Sequence, residues 1–498
     1  MELQLKENPV AYLRTVIRET QTQEQTQELR IGDGMPDIGS IVGTWGQVIV
    51  RSKEWEPDMI RISGGTMVWV QYRSEDGEEI CCVDSWLPFQ MQWKLPPDQR
   101  DGTILCQCFL KSADARITSA RKMMVRTNVT IQAEGTEPAA QPIFAPADVP
   151  ENLQLQRMRY PACIPVEAGE KAFTLDEMLS MPANQPQAEK ILSYRLQPTV
   201  TENKLMGNKL VFRGKASLHL HYADPEGRQH SWDTEVPFSQ YCDLEGDYDT
   251  DGQVRIWPCV TALETELQQN QLRLKVGMVC QYRICRKTVL EVVKDAYATD
   301  RTVSCEFREL EIPMILEHKE QTVKATAAWN TESVNLADVQ FLPQPAAVYP
   351  QQSARRLELS GQFQPLSYDP SGSLRWETLR WSDSITLQAD ENVTMEVTML
   401  PKGMPTGSVM NGNGQLECEL ELQIDTLCDR GISAVTSLSL GEVREPDPNR
   451  PSLILKRAAD QSLWEIAKES GSTVSLIRTA NGLQDEPEEG QMLLIPVV

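Results

Sequence analysis

A pattern that recurs at long range constrains this chain more than any other feature of its sequence. Ile60–Tyr72 matches Val211–Tyr222 in its alternation of apolar and polar residues, and each stretch runs into an acidic turn that contains glycine. Pro36 and Pro186 stand at corresponding places before the two stretches. Period-two alternation between Gly and Asp turns is typical of antiparallel strands joined by hairpins. The repetition therefore predicts tandem β-domains.

A third and weaker copy of the pattern follows. Leu357–Gly361 leads to a turn at Tyr368–Gly372 and then to the strict alternation of Leu416–Leu422. Such strands bury one face and leave the other in water, which favours two antiparallel sheets packed together. We therefore predict a mainly β fold built from tandem antiparallel β-sandwich-like repeats.

The segments between the copies show other patterns. Val10, Leu13 and Ile17 have helical spacing, and so do parts of Thr174–Leu179 and Val289–Tyr297. Prolines crowd the stretch after residue 136 and the stretch after residue 444. The predicted domains are an N-terminal helix and β-repeat 1 (1–135), a Pro-rich linker and helix (136–185), β-repeat 2 (186–288), a helix/strand connector (289–345), β-repeat 3 (346–440), a Pro-rich tether (441–452) and a C-terminal module (453–498).

The C-terminal module has the clearest local signals in the chain. Two apolar runs, Leu453–Leu455 and Met492–Ile495, bracket two amphipathic helical patterns. The first helix is opened by the capping-box sequence Ser462–Glu465, and the second ends at the left-handed signal Asn481-Gly482. This order predicts a small α/β (βααβ) unit.

Composition limits the possible partners and the compartment. The net charge of −23 disfavours nucleic acids and anionic membrane surfaces. No apolar run is long enough to cross a membrane, and the N-terminus lacks the pattern of a secretion signal. The 12 cysteines form no C-x-x-C pair, so reduced thiols in the cytoplasm are expected.

Catalytic motifs are missing from the sequence. It contains no phosphate-binding glycine loop, no dinucleotide fingerprint and no nucleophile elbow. His219 and His221 would provide half a metal site at most, and surface histidines on a sheet are the simpler interpretation. We therefore expect neither an enzyme nor a bound cofactor or metal.

The C-terminal module resembles LysM modules along its whole length. The resemblance rests on Leu463–Lys468, Thr473-Val474, Ala480–Leu483 and Gly490–Pro496. LysM modules commonly bind N-acetylglucosamine polymers through the loop before the first helix and the loop after the second. The corresponding loops here place the expected partner contacts at Asp460, Gln461, Ser462, Leu463, Gln484, Asp485 and Glu486. The first loop departs from the usual Gly-Asp-Thr and the second is strongly acidic, which favours a basic protein partner.

The whole layout resembles the SipL-like family of clostridial spore coat morphogenetic proteins. Beside the tandem copies and the C-terminal LysM-like module, Lys294–Thr299 and the Pro-x-x-x-x-Ile openings at Pro36 and Pro186 carry this resemblance. It implies a scaffold in the mother-cell cytoplasm, at the forespore surface, whose module binds the coat ATPase SpoIVA and which binds other spore coat proteins, a role similar to that of SpoVID. The alternative is a module that binds peptidoglycan or other N-acetylglucosamine glycans.

Overall fold

The structure is a computed structural model that describes residues 5–77, 79–97, 101–146, 149–268, 271–428, 431–445, 450–459 and 461–498. About three quarters of these residues lie in β-strands, and two short helices occur near the C-terminal end. The strands pair antiparallel throughout the described sheets. The prediction of a mainly β, antiparallel protein is confirmed.

The strands group into three units of similar topology: unit 1 (residues 5–146), unit 2 (153–298) and unit 3 (301–443). Units 1 and 2 each contain six strands in two three-stranded groups, ordered β1-β6-β5 and β2-β3-β4 in unit 1 and β7-β12-β11 and β8-β9-β10 in unit 2. Their bounds are β1 Leu5–Arg30, β2 Ile38–Glu56, β3 Met59–Ser74, β4 Ile80–Lys94, β5 Thr103–Ser119, β6 Lys122–Pro146, β7 Leu153–Ser180, β8 Lys190–Leu205, β9 Gly207–Ala223, β10 Gln229–Tyr248, β11 Gln253–Gln268 and β12 Gln271–Ala298.

Unit 3 repeats this plan with several of its strands interrupted. In one sheet, β17 pairs with β15, β16, β18 and β19. In another, β22 pairs with β14, β20 and β21, and in a third, β13 pairs with β23. Their bounds are β13 Arg301–Leu310, β14 Ile315–Asn330, β15 Asn335–Pro343, β16 Ala347–Gln351, β17 Ala354–Tyr368, β18 Leu374–Trp376, β19 Leu379–Gln388, β20 Val393–Pro401, β21 Thr406–Met410, β22 Asn413–Cys428 and β23 Ile432–Val443.

Each unit packs its main core between its two sheets. In β9, Phe212, Leu218 and Leu220 join one buried cluster with Leu274 and Val276 of β12, because alternate side chains of a strand point to the same face. On the other face of β9, Ser217, His219 and His221 are buried as well, at the boundary between units. The β-repeats therefore pack against one another, and are not separate domains on flexible linkers.

The predicted N-terminal helix is wrong, because residues 5–30 form the long strand β1. A register shift between Thr15 and Ile17 interrupts the pairing of β1 with β6. Tyr12 and Leu13 are both buried, and so is Ile17. A bulge changes which face of a strand points inward, and here it leaves apolar residues at a spacing that imitates a helix.

The predicted Pro-rich linker and helix at 136–185 are also strands. Pro138 and Pro142 lie in β6 beyond Thr136, where the pairing of β6 with β5 ends. In this part of the sheet β6 is paired with β1 on one side. A strand with one open edge tolerates proline, which has no N–H to donate. Thr174–Leu179 belongs to β7, in which Leu175 and Leu179 face the core of unit 2.

The predicted helix in the connector at 289–345 is likewise absent. Val289–Tyr297 is the second half of β12, which is paired with β7 and has a register shift between Val293 and Asp295. Val292 and Val293 are buried before that shift, and Ala296 and Tyr297 are buried after it. Strands β6 and β12 thus run across the predicted boundaries at residues 135 and 288.

The C-terminal module consists of β24 (Leu453–Arg457), α1 (Leu463–Ser470), α2 (Val474–Asn481) and β25 (Met492–Pro496). The two strands pair antiparallel. Ser462 forms a capping box with Glu465, and Gly471 and Gly482 end the helices in the left-handed conformation. Of the predicted tether, residues 446–449 lie outside the described part of the chain.

Candidate functional site

The first predicted partner loop precedes α1. Asp460 lies outside the described residues. Gln461 donates from Nε2 to Glu469 Oε1 at 3.0 Å, and Ser462 is held in the capping box. The side chain of Leu463 is fully buried in the core of the module, so only the backbone of this residue borders the surface.

The second predicted loop follows α2 and meets the first. Gln484, Asp485 and Glu486 are exposed. The Oε2 atom of Glu486 accepts a hydrogen bond from the backbone N–H of Leu463 at 2.7 Å. This contact places a carboxylate at the start of α1, where it compensates an unpaired backbone donor. The structure therefore brings the two loops together and leaves Gln484 and Asp485 facing outward.

The outer face of the module's sheet is largely apolar and exposed, and the exposed side chain of Arg457 lies at its edge, opposite Met492. Leu453 and Leu455 of β24 are 53% and 64% exposed, and Met492 and Leu494 of β25 are 52% and 39% exposed. Leu455 lies directly opposite Leu494 in the register of the two strands, so the four side chains share one face. We call these four residues the apolar face. The sequence runs Leu453–Leu455 and Met492–Ile495 had been interpreted only as strands.

One side of α1 is docked on unit 2. The indole Nε1 of Trp464 donates to Asp295 Oδ2 at 2.8 Å, and Lys468 Nζ lies 2.9 and 2.8 Å from the two oxygens of the same carboxylate. The rings of Tyr297 and Trp464 pack edge to face with their centroids 4.8 Å apart. The Tyr297 hydroxyl donates to the carbonyl of Ser472 at 2.9 Å.

This docking site was missed in the sequence. Asp295 and Tyr297 lie two residues apart, after the bulge in β12, and both reach the module. An acidic and an aromatic residue at that spacing on a strand share a face, which was the available signal. Burial raises the pKa of Tyr297 to about 12, so its hydroxyl stays protonated as a donor. Trp464 is thus both a partly buried residue of the module and its anchor.

The two histidines of β9 are not on the surface, which corrects the interpretation made from sequence. His219 Nε2 lies 2.8 Å from Asp338 Oδ1 of unit 3, and the same carboxylate is paired with Arg195 at 2.7 Å. Burial lowers the pKa of His221 to about 4, so this ring is neutral near pH 7. These side chains form a buried polar contact between units 2 and 3.

Two searches of the described residues concern other functions. No group of three or more His, Cys, Asp or Glu side chains in the described ranges has the arrangement of a metal site. Neither of the helices found there is long and apolar enough to cross a membrane.

Comparison with known proteins identifies one part of the chain. Residues 187–267 match the family model described as SipL, SPOCS domain. The match covers β8, β9 and β10 and nearly all of β11, so it lies within unit 2. A search of the curated proteins finds no match. The family match supports a relationship to SipL-like proteins and a role connected with sporulation.

Proposed function

We propose that this chain is a non-enzymatic scaffold in spore coat and cortex morphogenesis. Its C-terminal module acts as a LysM-type module that binds a coat ATPase of the SpoIVA kind, and thereby localises coat assembly to the forespore surface on the mother-cell side. The SPOCS-domain match in unit 2 supports the connection with sporulation. The binding of a protein, rather than a glycan, is supported by the surface of the module.

The apolar face is the observation that carries the proposal. Four large apolar side chains on one small sheet remain open to solvent, although the module is docked on unit 2 through its other side. Contiguous exposed apolar surface of this kind marks interaction sites, because the free energy of the system falls when a partner removes that surface from water. Leu455 is at its centre, opposite Leu494.

The acidic loop after α2 adds charge to this surface. Asp485, Glu488 and Glu489 are exposed, whereas Glu486 is engaged with the N-terminus of α1. Such a loop favours a basic patch on the partner and accelerates association at low ionic strength. Tandem units beside the module add further contacts, and linked weak contacts raise the effective concentration of each binding partner.

The test is calorimetric titration of the full chain with a purified SpoIVA-type ATPase, and separately with chitin oligomers and peptidoglycan fragments. We expect binding to the ATPase. Leu455→Gln removes a side chain that a partner would bury, which is worth roughly 1.5–3 kcal/mol, so the Kd should rise about tenfold or more.

Met410→Gln is the matched control, because Met410 is 69% exposed at a hairpin of unit 3, away from the module. It should leave the Kd unchanged. Equal effects of the two substitutions would remove the apolar face from the interface. Binding to the glycans alone would overturn the scaffold proposal in favour of a peptidoglycan-binding module.

A further inference from the structure

Four of the 12 cysteines line a single cavity between the units. Cys106 and Cys108 belong to β5 of unit 1, Cys259 to β11 of unit 2 and Cys418 to β22 of unit 3. The cavity has a volume of ≈190 Å³, and its wall also includes residues of β2, β8 and β15. Strands of all three units therefore converge on one space that is lined by thiols.

Three of these thiols are held against one another. The thiols of Cys108 and Cys259 are the neighbours that act most strongly on the thiol of Cys106. The Cys259 thiol also approaches the carbonyl oxygen of Cys106, at 3.8 Å. Cys106 and Cys108 are two residues apart on one strand and so face the same way, whereas Cys259 comes from the neighbouring unit.

The side chain of Gln281 fixes the pair that crosses the unit boundary. Its Nε2 donates to the carbonyl of Cys106 at 2.9 Å and to the thiol of Cys259 at 3.1 Å. Its Oε1 accepts from the backbone N–H of Cys106 and from Lys53 Nζ, each at 2.8 Å. One fully buried amide thus holds the backbone of one cysteine and the sulfur of the other.

The local electrostatics distinguishes the thiols. Hydrogen bonds from Cys108 and Cys259 hold the pKa of Cys106 well below its ordinary value, and the positive charge of Lys53 acts in the same direction. Those hydrogen bonds and burial raise the pKa of Cys108 and Cys259. The cluster therefore places the most acidic of these thiols beside two thiols whose pKa is raised, which is the pairing that favours oxidation to a disulfide.

We propose that Cys106 and Cys259 form an oxidation site whose disulfide joins unit 1 to unit 2, with a hydroperoxide such as hydrogen peroxide as the oxidant. The Cys106 thiolate attacks one peroxide oxygen and becomes a sulfenic acid, and the other oxygen leaves as hydroxide. The Cys259 thiol then displaces the hydroxyl group of the sulfenic acid, forming the S–S bond and releasing water. The two cysteines lose two electrons in total, and the peroxide is reduced to water.

Access and geometry select this pair. Cys259 and Cys108 are partly exposed, so a small oxidant in the cavity can reach the cluster. Cys106 and Cys108 are poorly placed to join each other, because side chains two apart on an extended strand project in parallel. Cys163 and Cys285 also lie in one buried cluster, but both belong to unit 2, so a bond between them would not join two units.

The test is peptide mapping of the full chain by mass spectrometry. The protein is treated with hydrogen peroxide, its remaining thiols are blocked with N-ethylmaleimide, and digests are compared with and without reduction. We expect a reducible cross-link between the peptides of Cys106 and Cys259 as the main product. Cys259→Ser should abolish that cross-link and leave Cys106 reactive towards dimedone, which traps sulfenic acids.

Cys418→Ser is the control, because Cys418 lines the same cavity outside the hydrogen-bonded cluster. It should retain the Cys106–Cys259 cross-link. The mapping of the unsubstituted chain stands even where a variant fails to fold. Oxidation spread evenly over the cysteines, or a dominant cross-link between another pair, would overturn the proposal.

Discussion

At the scale of single residues, one carboxylate controls how the C-terminal module is held. Asp295 receives the indole N–H of Trp464 and the ammonium group of Lys468, and Tyr297 packs on the same indole. Hydrogen bonds that involve a charged group contribute more than neutral ones. The module's orientation, and with it the direction in which the apolar face points, depends on this residue.

We expect Asp295→Ala to loosen the module without unfolding the units. The change removes the carboxylate that accepts charge-assisted hydrogen bonds from Trp464 and Lys468, and should weaken docking by about 2 kcal/mol. Hydrogen exchange should then accelerate in α1.

Asp176→Ala serves as the control for this change. Asp176 of β7 makes a two-point ion pair with Arg273 of β12, at 3.0 and 2.9 Å. This ion pair lies at the end of the two strands that is far from the module. Protection of α1 should be unaffected. If both variants leave the exchange of α1 at its original rate, Asp295 does not hold the module.

At the scale of the elements, a two-residue turn sets the register of a hairpin in unit 3. Asn411 and Gly412 have φ values of 51° and 79° and connect Met410 of β21 to Asn413 of β22. Positive φ at both central residues is the type I′ geometry, which matches the twist of the flanking strands. Asn-Gly is the residue pair that this turn prefers.

Gly412→Ala should destabilise this hairpin by about 1 kcal/mol, because an L-residue with a β-carbon is strained at this φ. Hydrogen exchange of the β21 and β22 amides should accelerate about fivefold, in line with that free energy. Gly403→Ala is the comparison, since Gly403 has open space around it and no positive φ. A similar acceleration in both variants would show that the turn geometry is not the cause.

Local signals in the sequence predicted some elements well and others poorly. The caps at Ser462 and Gly482 and the alternation of Leu416–Leu422 act over a few residues, and the structure has the expected helix ends and strand there. The spacing of Leu13 and Ile17 resembled a helix because a bulge in β1 alters which side chains turn inward. A bulge depends on the partner strand, more than 100 residues away in sequence, and so cannot be predicted from local spacing.

The candidate site also has a part that the sequence predicts and a part that it does not. The two loops were located from the sequence, and their contact through Glu486 and Leu463 joins segments of one small module. The dock at Asp295 depends on packing between residues 169 apart in the chain. The ring of Trp464 packs against Tyr297 of unit 2 as well as within the module.

At the scale of the whole molecule, ion pairs between units join the body. Glu134 of unit 1 is 2.7 Å from Arg18 of the same unit and also pairs with Arg283 of unit 2. Both arginines pair in turn with Glu396 of unit 3. The four charged side chains thus form one network that joins the three units.

This arrangement predicts acid-sensitive packing of the units. Burial alone would raise the pKa of Glu134, but the charges of Arg283 and Arg18 outweigh it and bring the pKa down to about 2, from an ordinary value of 4.5. A carboxylate whose pKa is depressed in the folded state contributes stability above its unfolded pKa and loses it as pH falls through the folded value. The contribution, about 3 kcal/mol at pH 7, should therefore disappear between about pH 5 and pH 2.

Glu134→Gln should remove most of that contribution and lower the free energy of unfolding by about 3 kcal/mol at pH 7. The decrease should be much smaller near pH 2, because the wild-type carboxylate is itself largely protonated there. Urea titrations of both proteins at a series of pH values measure the difference. Glu235→Gln is the matched change, because Glu235 pairs with Lys215 on the surface of unit 2. It should cost less than about 1 kcal/mol at neutral pH. Only the ionised carboxylate of Glu134 can pair with the arginines of two units. If the difference in the free energy of unfolding between Glu134→Gln and the wild type did not change with pH, the charge of Glu134 would not hold the units together.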